Sequence, residues 1–236
     1  MPRRRREGPA YAMARTAGSS GPRTEEAIRS AGLALIATHG YAAMSLRQLA
    51  AEVGIQQGSL YNYFRNKQEF LFDLIRTHMQ DLHAALDAAL APEGGDAVER
   101  LTRFVEFHVA YHVERPQQVF ICYSELRSLE PDNLAAVVAM RRDYERKLSD
   151  ILDAGRASGV FRLDDIRMAT LAILAMLSGI CTWYKPGGRL SKDAVREIFL
   201  GMVLALARGE VPAHAVEAAP APALSRRNGV ARAGAA

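Results

Sequence analysis

Residues 45–67, SLRQLAAEVGIQQGSLYNYFRNK, carry side chains of the types that hydrogen-bond nucleic acid, spaced to do so from one helix. On a wheel advancing about 100° per residue, an inward Leu60 brings Phe64 beside it at i+4. Gly58 and Asn62 then point outward, Ser59 and Tyr61 flank them, and Gln57 lies near the helix start. Gln, Asn and Ser can pair with base edges, and a tyrosine hydroxyl can bind phosphate. Glycine inside a helix costs about 1 kcal/mol against alanine, so Gly58 on the outer face points to a partner that approaches the backbone closely. Arg47 and Lys67 sit in the first turns of their helices, where a cation opposes the helix dipole. A phosphate there would be held by the cation and the free backbone N–H groups together. Either cation alone reads equally well as a solvated charge; the segment between them favours phosphate contacts.

A helix-turn-helix must hold such a face. It needs a small residue where its helices meet, a residue tolerant of positive φ in the turn, and a shared apolar face. Ala50 is the small residue, Gly54 is the turn, and Leu49, Val53, Ile55 and Leu60 supply the face.

A second group lies further along. His108 and His112 are at i, i+4, a spacing that can hold a metal. Val109 and Ala110 follow His108, so there is no HExxH pattern, and no cysteine is near in sequence. These histidines read as satisfied or pocket-lining, with no metal and no cofactor. Tyr111, Tyr123 and Trp183 are polar-tipped aromatics on apolar helices, able to line a cavity for a ligand of mixed character. Plain core packing is the alternative. An enzyme using the histidines, with Glu125, is a weak reading, because GxSxG, P-loop and strand-linked GxGxxG patterns are all missing.

The elements that position these groups read as helix throughout. Thr24 can cap a first helix ending at Gly40, and Ser45 with Gln48 forms a capping box for the second. Asn66 opens a long helix towards Leu90, broken by Pro92, Gly94 and Gly95. Helices are expected over 97–114, 117–129 and 134–157, then from an Asp164 cap to Trp183, and from a Ser191 cap to Leu206. The fold class is all-α, with about nine helices and no sheet.

The chain has 236 residues and a formal charge of +4. Residues 1–23 carry six arginines and one glutamate, and 207–236 carry four arginines and two glutamates, which leaves −3 for 24–206. Both ends are low in apolar periodicity and read as disordered, a basic arm and an Ala/Pro-rich tail. The arm reads either as an upstream start or as a segment reaching a DNA groove. Two cysteines, Cys122 and Cys181, exclude a disulfide scaffold. No signal peptide is evident, and the longest apolar run, 168–181, has fourteen residues, fewer than the roughly 20 of a spanning helix. A soluble cytoplasmic protein with no membrane partner is expected.

The stretch TEEAIRSAGLALIATHGYAAMSLRQLAAEVGIQQGSLYNYFRNKQEFLFDLI resembles the amino-terminal domain of TetR-family transcriptional regulators, most specifically at GI-x-x-G-S-LY-x-YF-x-NK. The resemblance implies a homodimer, with a helix-turn-helix domain (24–71) and a helical ligand-binding and dimerisation domain (72–206). It implies repression of a palindromic operator on double-stranded DNA, relieved by a small-molecule effector. It places DNA contacts at Arg47, Gln57, Gly58, Ser59, Tyr61, Asn62, Tyr63 and Lys67. HVERPQQVFICYSELRSLEPDN and CTWYKPGGRLS resemble family members governing fatty-acid, steroid and aromatic-acid breakdown, which implies an acyl-CoA effector. Arg103, Arg127, Lys185 and Arg189 are the candidate cations for its phosphates. A ligand-independent DNA-binding protein is the alternative.

The run 168–181 is apolar on nearly every face, so it must be buried on more than one side. Ile198, Met202 and Leu206 recur at i, i+4 on the last helix. These helices, with Met176 on the first, are expected to pair with their symmetry mates.

Overall fold

The computed structural model describes residues 21–91 and 94–209. Most of the basic arm, the breaker Pro92 and the tail from residue 210 lie outside the described residues. Among those described there is no strand. The helices are α1 (Gly21–His39), α2 (Leu46–Val53), α3 (Gln57–Leu60), α4 (Lys67–Leu90), α5 (Ala97–Glu114), α6 (Pro116–Ser124), α7 (Pro131–Ala157), α8 (Ile166–Ser178), α9 (Ile180–Trp183) and α10 (Lys192–Ala207). A 3-10 turn, Leu126–Ser128, joins α6 to α7.

Local chemistry explains most boundaries. Asn66 caps α4 by accepting from the Glu69 N–H at 2.7 Å, Asp96 caps α5, and Ser191 caps α10. Several expected boundaries move. Helix α1 already begins at Gly21, so Thr24 lies inside it and is not its cap. Asp165 rather than Asp164 caps α8, accepting from the Met168 N–H at 3.0 Å. Helix α6 stops at Ser124, and Pro131 starts α7 instead of separating two helices. Proline suits a first helical position, because the N–H it lacks is one the first turn leaves unbonded. The single helix expected up to Trp183 is interrupted at Gly179, giving α8 and α9.

Helix α5 is the centre of the body. Leu101, Phe104, Val105 and Val109 are fully buried, and α4, α7, α8, α9 and α10 pack around it. Helix α2 packs on α1 and α3, and α1 also packs on α6 and meets the start of α4. Gly32 allows this, because a Cβ there would run into the Phe70 ring. The buried Asp73 of α4 accepts from Arg29 of α1 at 2.9 Å and from Arg76 at 2.7 Å. Helix α4 runs unbroken through residue 71, so the expected domain boundary falls inside a continuous helix.

Counted through Trp183, the stretch 166–183 is long and apolar enough to cross a membrane, longer than the run read from sequence, yet 33% of it is buried in the monomer. Met168 and Leu171 of α8 remain exposed, as do Trp183, Ile198 and Met202.

Candidate nucleic-acid interface and ligand cavity

The helix-turn-helix is built by caps at both ends of α2. Ser45 accepts from the Gln48 N–H at 3.2 Å, and the Gln48 side chain accepts from the Ser45 N–H at 2.9 Å. At the other end Gly54 takes φ 73°, a left-handed conformation that costs glycine nothing. The Ile55 N–H then closes on the Ala50 carbonyl at 3.0 Å. Leu49, Ala50, Leu60 and Phe64 are buried.

The outward face is as the wheel places it. Gln57, Gly58, Tyr61 and Asn62 are exposed, and Ser59 and Tyr63 are half-buried. Regular α-helix covers only Gln57–Leu60, but Tyr63 and Phe64 still donate to the Leu60 carbonyl at 2.9 and 3.0 Å. The turn therefore keeps Asn62 and Tyr63 in nearly helical register. Gly58 has no internal reason to be glycine: its φ is not positive, and a Cβ there would meet nothing within 4 Å.

The two flanking cations differ. Arg47 is exposed. Lys67 donates to the Ala42 carbonyl at 3.1 Å and lies 4.2 Å above the Tyr41 ring, so it clasps the α1–α2 turn to α4. Burial holds its pKa below the ordinary lysine value, against the opposing effect of Glu125.

Behind this unit lies a cavity of about 220 Å³. Five helices wall it: α4 with His78 and Met79, α5 with His108 and His112, α6 with Cys122 and Tyr123, α7 with Arg141 and Tyr144, and α8 with Leu171 and Ala175. A chain of polar contacts borders it. The Tyr123 hydroxyl donates to Ser178 Oγ at 2.7 Å, Ser178 Oγ lies 3.3 Å from His108 Nε2, and His108 Nδ1 lies 2.9 Å from the Tyr144 hydroxyl. The His108 and His112 rings stack at 3.7 Å. The Arg141 guanidinium sits 4.5 Å over the Tyr123 ring.

Burial keeps the three histidines and Cys122 uncharged. It pulls His78 down to about 4, aided by the Arg115 charge, and His112 to about 3, aided by His78. His108 falls well below the ordinary histidine value for the same reason, with His112 adding to it. The Cys122 thiol is pushed up to about 12 by burial, which leaves it protonated and unreactive. Both His108 nitrogens are engaged, and among the described residues no three His, Cys, Asp or Glu converge on a metal position.

Of the residues expected at a ligand site, the cavity brings together His108 and Tyr123. Tyr111 is buried behind it, between His78 and His112, with Arg115 over its ring at 4.1 Å. Trp183 is elsewhere, 49% exposed and beside Ile198, Phe199 and Met202. The expected phosphate cations are not at this cavity: Arg103 pairs with Glu99, Arg127 lies in the 3-10 turn, and Lys185 and Arg189 share a groove with Trp183. A different set stands close by. Arg142, Arg146 and Arg167 line a groove that shares Glu145 and Leu171 with the cavity. Sequence reasoning missed His78, Arg141 and Tyr144. Of these, only the Arg141-Arg142 pair in an otherwise mixed helix gave any signal.

On the expected dimer face, Ile198 and Met202 are exposed, and Met176 and Leu206 are half-buried against their own core. Gly201 lies between the two exposed side chains, and a Cβ there would meet nothing.

Comparison with known proteins places this architecture. Residues 28–74 match the profile described as bacterial regulatory proteins, tetR family, and residues 94–207 match the tetracyclin repressor-like C-terminal domain. The HTH-type transcriptional repressor KstR2 of Mycolicibacterium smegmatis is 32% identical over 178 residues, covering 72% of this chain and 83% of that one. The structure of the ketosteroid transcriptional regulator KstR2 of Mycobacterium tuberculosis superposes with a TM-score of 0.70 at 27% identity, covering 81% of this chain and 97% of that one. The same fold occurs in AibR, solved in complex with isovaleryl coenzyme A and operator DNA, with a TM-score of 0.70 at 24% identity, over 78% of this chain and 98% of that one. With its capped helix-turn-helix, its all-helical body and matches along most of its described length, the chain belongs to the TetR family of transcriptional regulators.

Proposed function

We propose that the protein is a homodimeric repressor whose grip on a palindromic operator is released when an acyl-CoA thioester enters the α4–α8 cavity. Gln57, Gly58, Ser59, Tyr61, Asn62 and Tyr63 face the DNA, and Arg47 and Lys67 hold phosphates beside them. Met168, Leu171, Ile198 and Met202, exposed and apolar on α8 and α10, form the subunit interface. Gly201 lets the partner helix come close. Work on DNA implies a cytoplasmic location, and the relatives named above are regulators, which supports binding rather than catalysis.

One observation carries the release mechanism: the wall of the cavity and the support of the helix-turn-helix are the same short segment. Helix α6 lines the cavity with Cys122 and Tyr123. Just beyond, the Glu125 carboxylate accepts from the Tyr41 N–H, the Ser128 carbonyl accepts from Gln68 at 2.5 Å, and the Glu130 N–H donates back to Gln68 at 3.1 Å. A ligand that displaces Tyr123 must move these contacts. A ligand-independent DNA-binding protein needs no such cavity.

The acyl-CoA class is supported by size and charge. A cavity of about 220 Å³ is smaller than the roughly 300–1,000 Å³ of sites that enclose a drug-sized ligand. It suits an acyl group while the nucleotide stays outside. The adjoining Arg142, Arg146 and Arg167 groove offers cations for its phosphates. Binding of the promoter DNA beside its own gene, measured with and without short, branched and aromatic acyl-CoAs, tests this. Loss of binding with at least one ester is expected. If none changes DNA affinity or melting temperature, the acyl-CoA reading fails.

A further inference from the structure

We infer that the polar end of the cavity is a receptor for an alcohol: one hydroxyl on an otherwise apolar effector, accepting a hydrogen bond from His78 and donating one to Nε2 of His112. This rests on reading the cavity as the effector site. It follows from which imidazole nitrogens are already used.

His112 Nδ1 lies 2.9 Å from the His108 carbonyl oxygen. A carbonyl only accepts, so Nδ1 carries the proton. The ring is neutral, held there by burial and by His78. A neutral imidazole has one N–H, so Nε2 is a bare acceptor. It has no hydrogen-bond partner among the described residues, although His112 lines the cavity and is only 2% exposed. His78, 7% exposed, lines the same cavity. Its ring contacts Tyr111, and neither nitrogen is hydrogen-bonded among the described residues. Being neutral, it presents one N–H and one bare nitrogen. Both rings lie beside Tyr111, at 5.7 Å for His78 and 6.3 Å for His112. His108 is different, since both its nitrogens are engaged.

The Tyr111 hydroxyl between the two rings is also buried without a hydrogen-bond partner, but Tyr111 does not line the cavity, so the two imidazoles select among ligands. A ketone takes the His78 proton but leaves His112 Nε2 facing a second acceptor. A carboxylate does the same and brings a charge into a cavity whose histidines stay neutral. A hydroxyl supplies one acceptor and one donor and satisfies both rings. A site built around a hydroxyl discriminates against analogues lacking it, because the site's own buried polar groups are then unpaired.

Two probe sets test this. Cyclohexanol and cyclohexanone have nearly the same size and differ in the donor. The positional isomers of hydroxycyclohexanecarboxyl-CoA are compared with cyclohexanecarboxyl-CoA and its oxo counterparts. Cyclohexanol is expected to raise the melting temperature more than cyclohexanone at equal concentration. At least one hydroxy ester is expected to release operator DNA at about tenfold lower concentration than the parent ester. His112→Phe and His78→Leu should each remove the preference while operator binding by the free protein stays intact. Absence of any alcohol preference in the wild type, or its survival in both variants, overturns the inference. If no ester acts but the cyclohexanol preference and its histidine dependence hold, the acyl-CoA reading falls and the alcohol site stands. If the esters act without any hydroxyl preference, the reverse is true.

Discussion

The Glu125 carboxylate accepts a hydrogen bond from the backbone N–H of Tyr41 at 3.3 Å, across 84 residues of sequence. This contact, the two bonds that Gln68 makes with the Ser128 carbonyl and the Glu130 N–H, and the packing of α1 on α6 join the ligand-binding body to the helix-turn-helix domain. The Tyr41 ring is in turn covered by Lys67, so one buried residue is held by the body at its backbone and by α4 at its side chain.

Breaking that clamp should separate binding from response. Gln68→Ala removes both side-chain bonds to the segment after α6. The variant is expected to bind effector with unchanged affinity by calorimetry, while the shift in operator affinity caused by saturating effector shrinks at least several-fold. An unchanged shift would show that the signal travels elsewhere.

Gly58 should separate stability from recognition. Gly58→Ala places a methyl in open space at a helical position. The fold should be unharmed or stabilised by about 0.5–1 kcal/mol, while operator affinity falls at least about tenfold. Equal operator binding by the two proteins would remove the close approach argued for this residue.

Gly32 should behave in the opposite way. A Cβ there meets the Phe70 ring, itself fully buried between α1 and α4. Gly32→Ala is expected to cost about 1–3 kcal/mol by overpacking. A lower urea midpoint would record it, and Phe70→Leu in the same chain should recover part of the loss.

Acid should destabilise the body before it touches most carboxylates. His78 and His112 are held at about 4 and about 3, below the 6.5 of an ordinary imidazole. The unfolded chain therefore takes up protons that the fold refuses. Their stabilising contribution is complete above pH 6.5 and is lost as the pH falls from 6.5 towards 4 and 3. Urea midpoints should be level from pH 8 to 7 and fall below 6.5, with a shallower fall in His78→Leu. A midpoint that rises on acidification to pH 5 contradicts the neutral-histidine description.

Much of the DNA-reading unit was legible in sequence because its determinants are local. A capping box, a positive-φ glycine and an i, i+4 apolar pair each span five residues or fewer, and Ser45, Gly54, Leu60 and Phe64 behave as their types require. The role of Lys67 was not legible in full. Its partner, the Ala42 carbonyl, is 25 residues away, and only the fold brings the two together. The cavity was less legible still. His78, Arg141 and Tyr144 lie on long helices with mixed surfaces, where an inward polar residue looks like any other. Trp183 has the polar-tipped ring of a cavity residue, yet it belongs with the exposed apolar residues of α10. Pro116 and Pro131 each begin a helix, ahead of the starts at 117 and 134 that the sequence suggests.

In the proposed mechanism, occupancy of the cavity is what loosens the helix-turn-helix. The most direct measurement is the fluorescence anisotropy of labelled operator DNA, titrated with an active acyl-CoA against the wild type and against Ala175→Trp. That substitution fills the cavity from α8 without touching residues 45–67. Both proteins should bind the operator alike, the ester should release the wild type, and the filled variant should stay bound. Release of both proteins at the same ester concentration would contradict it.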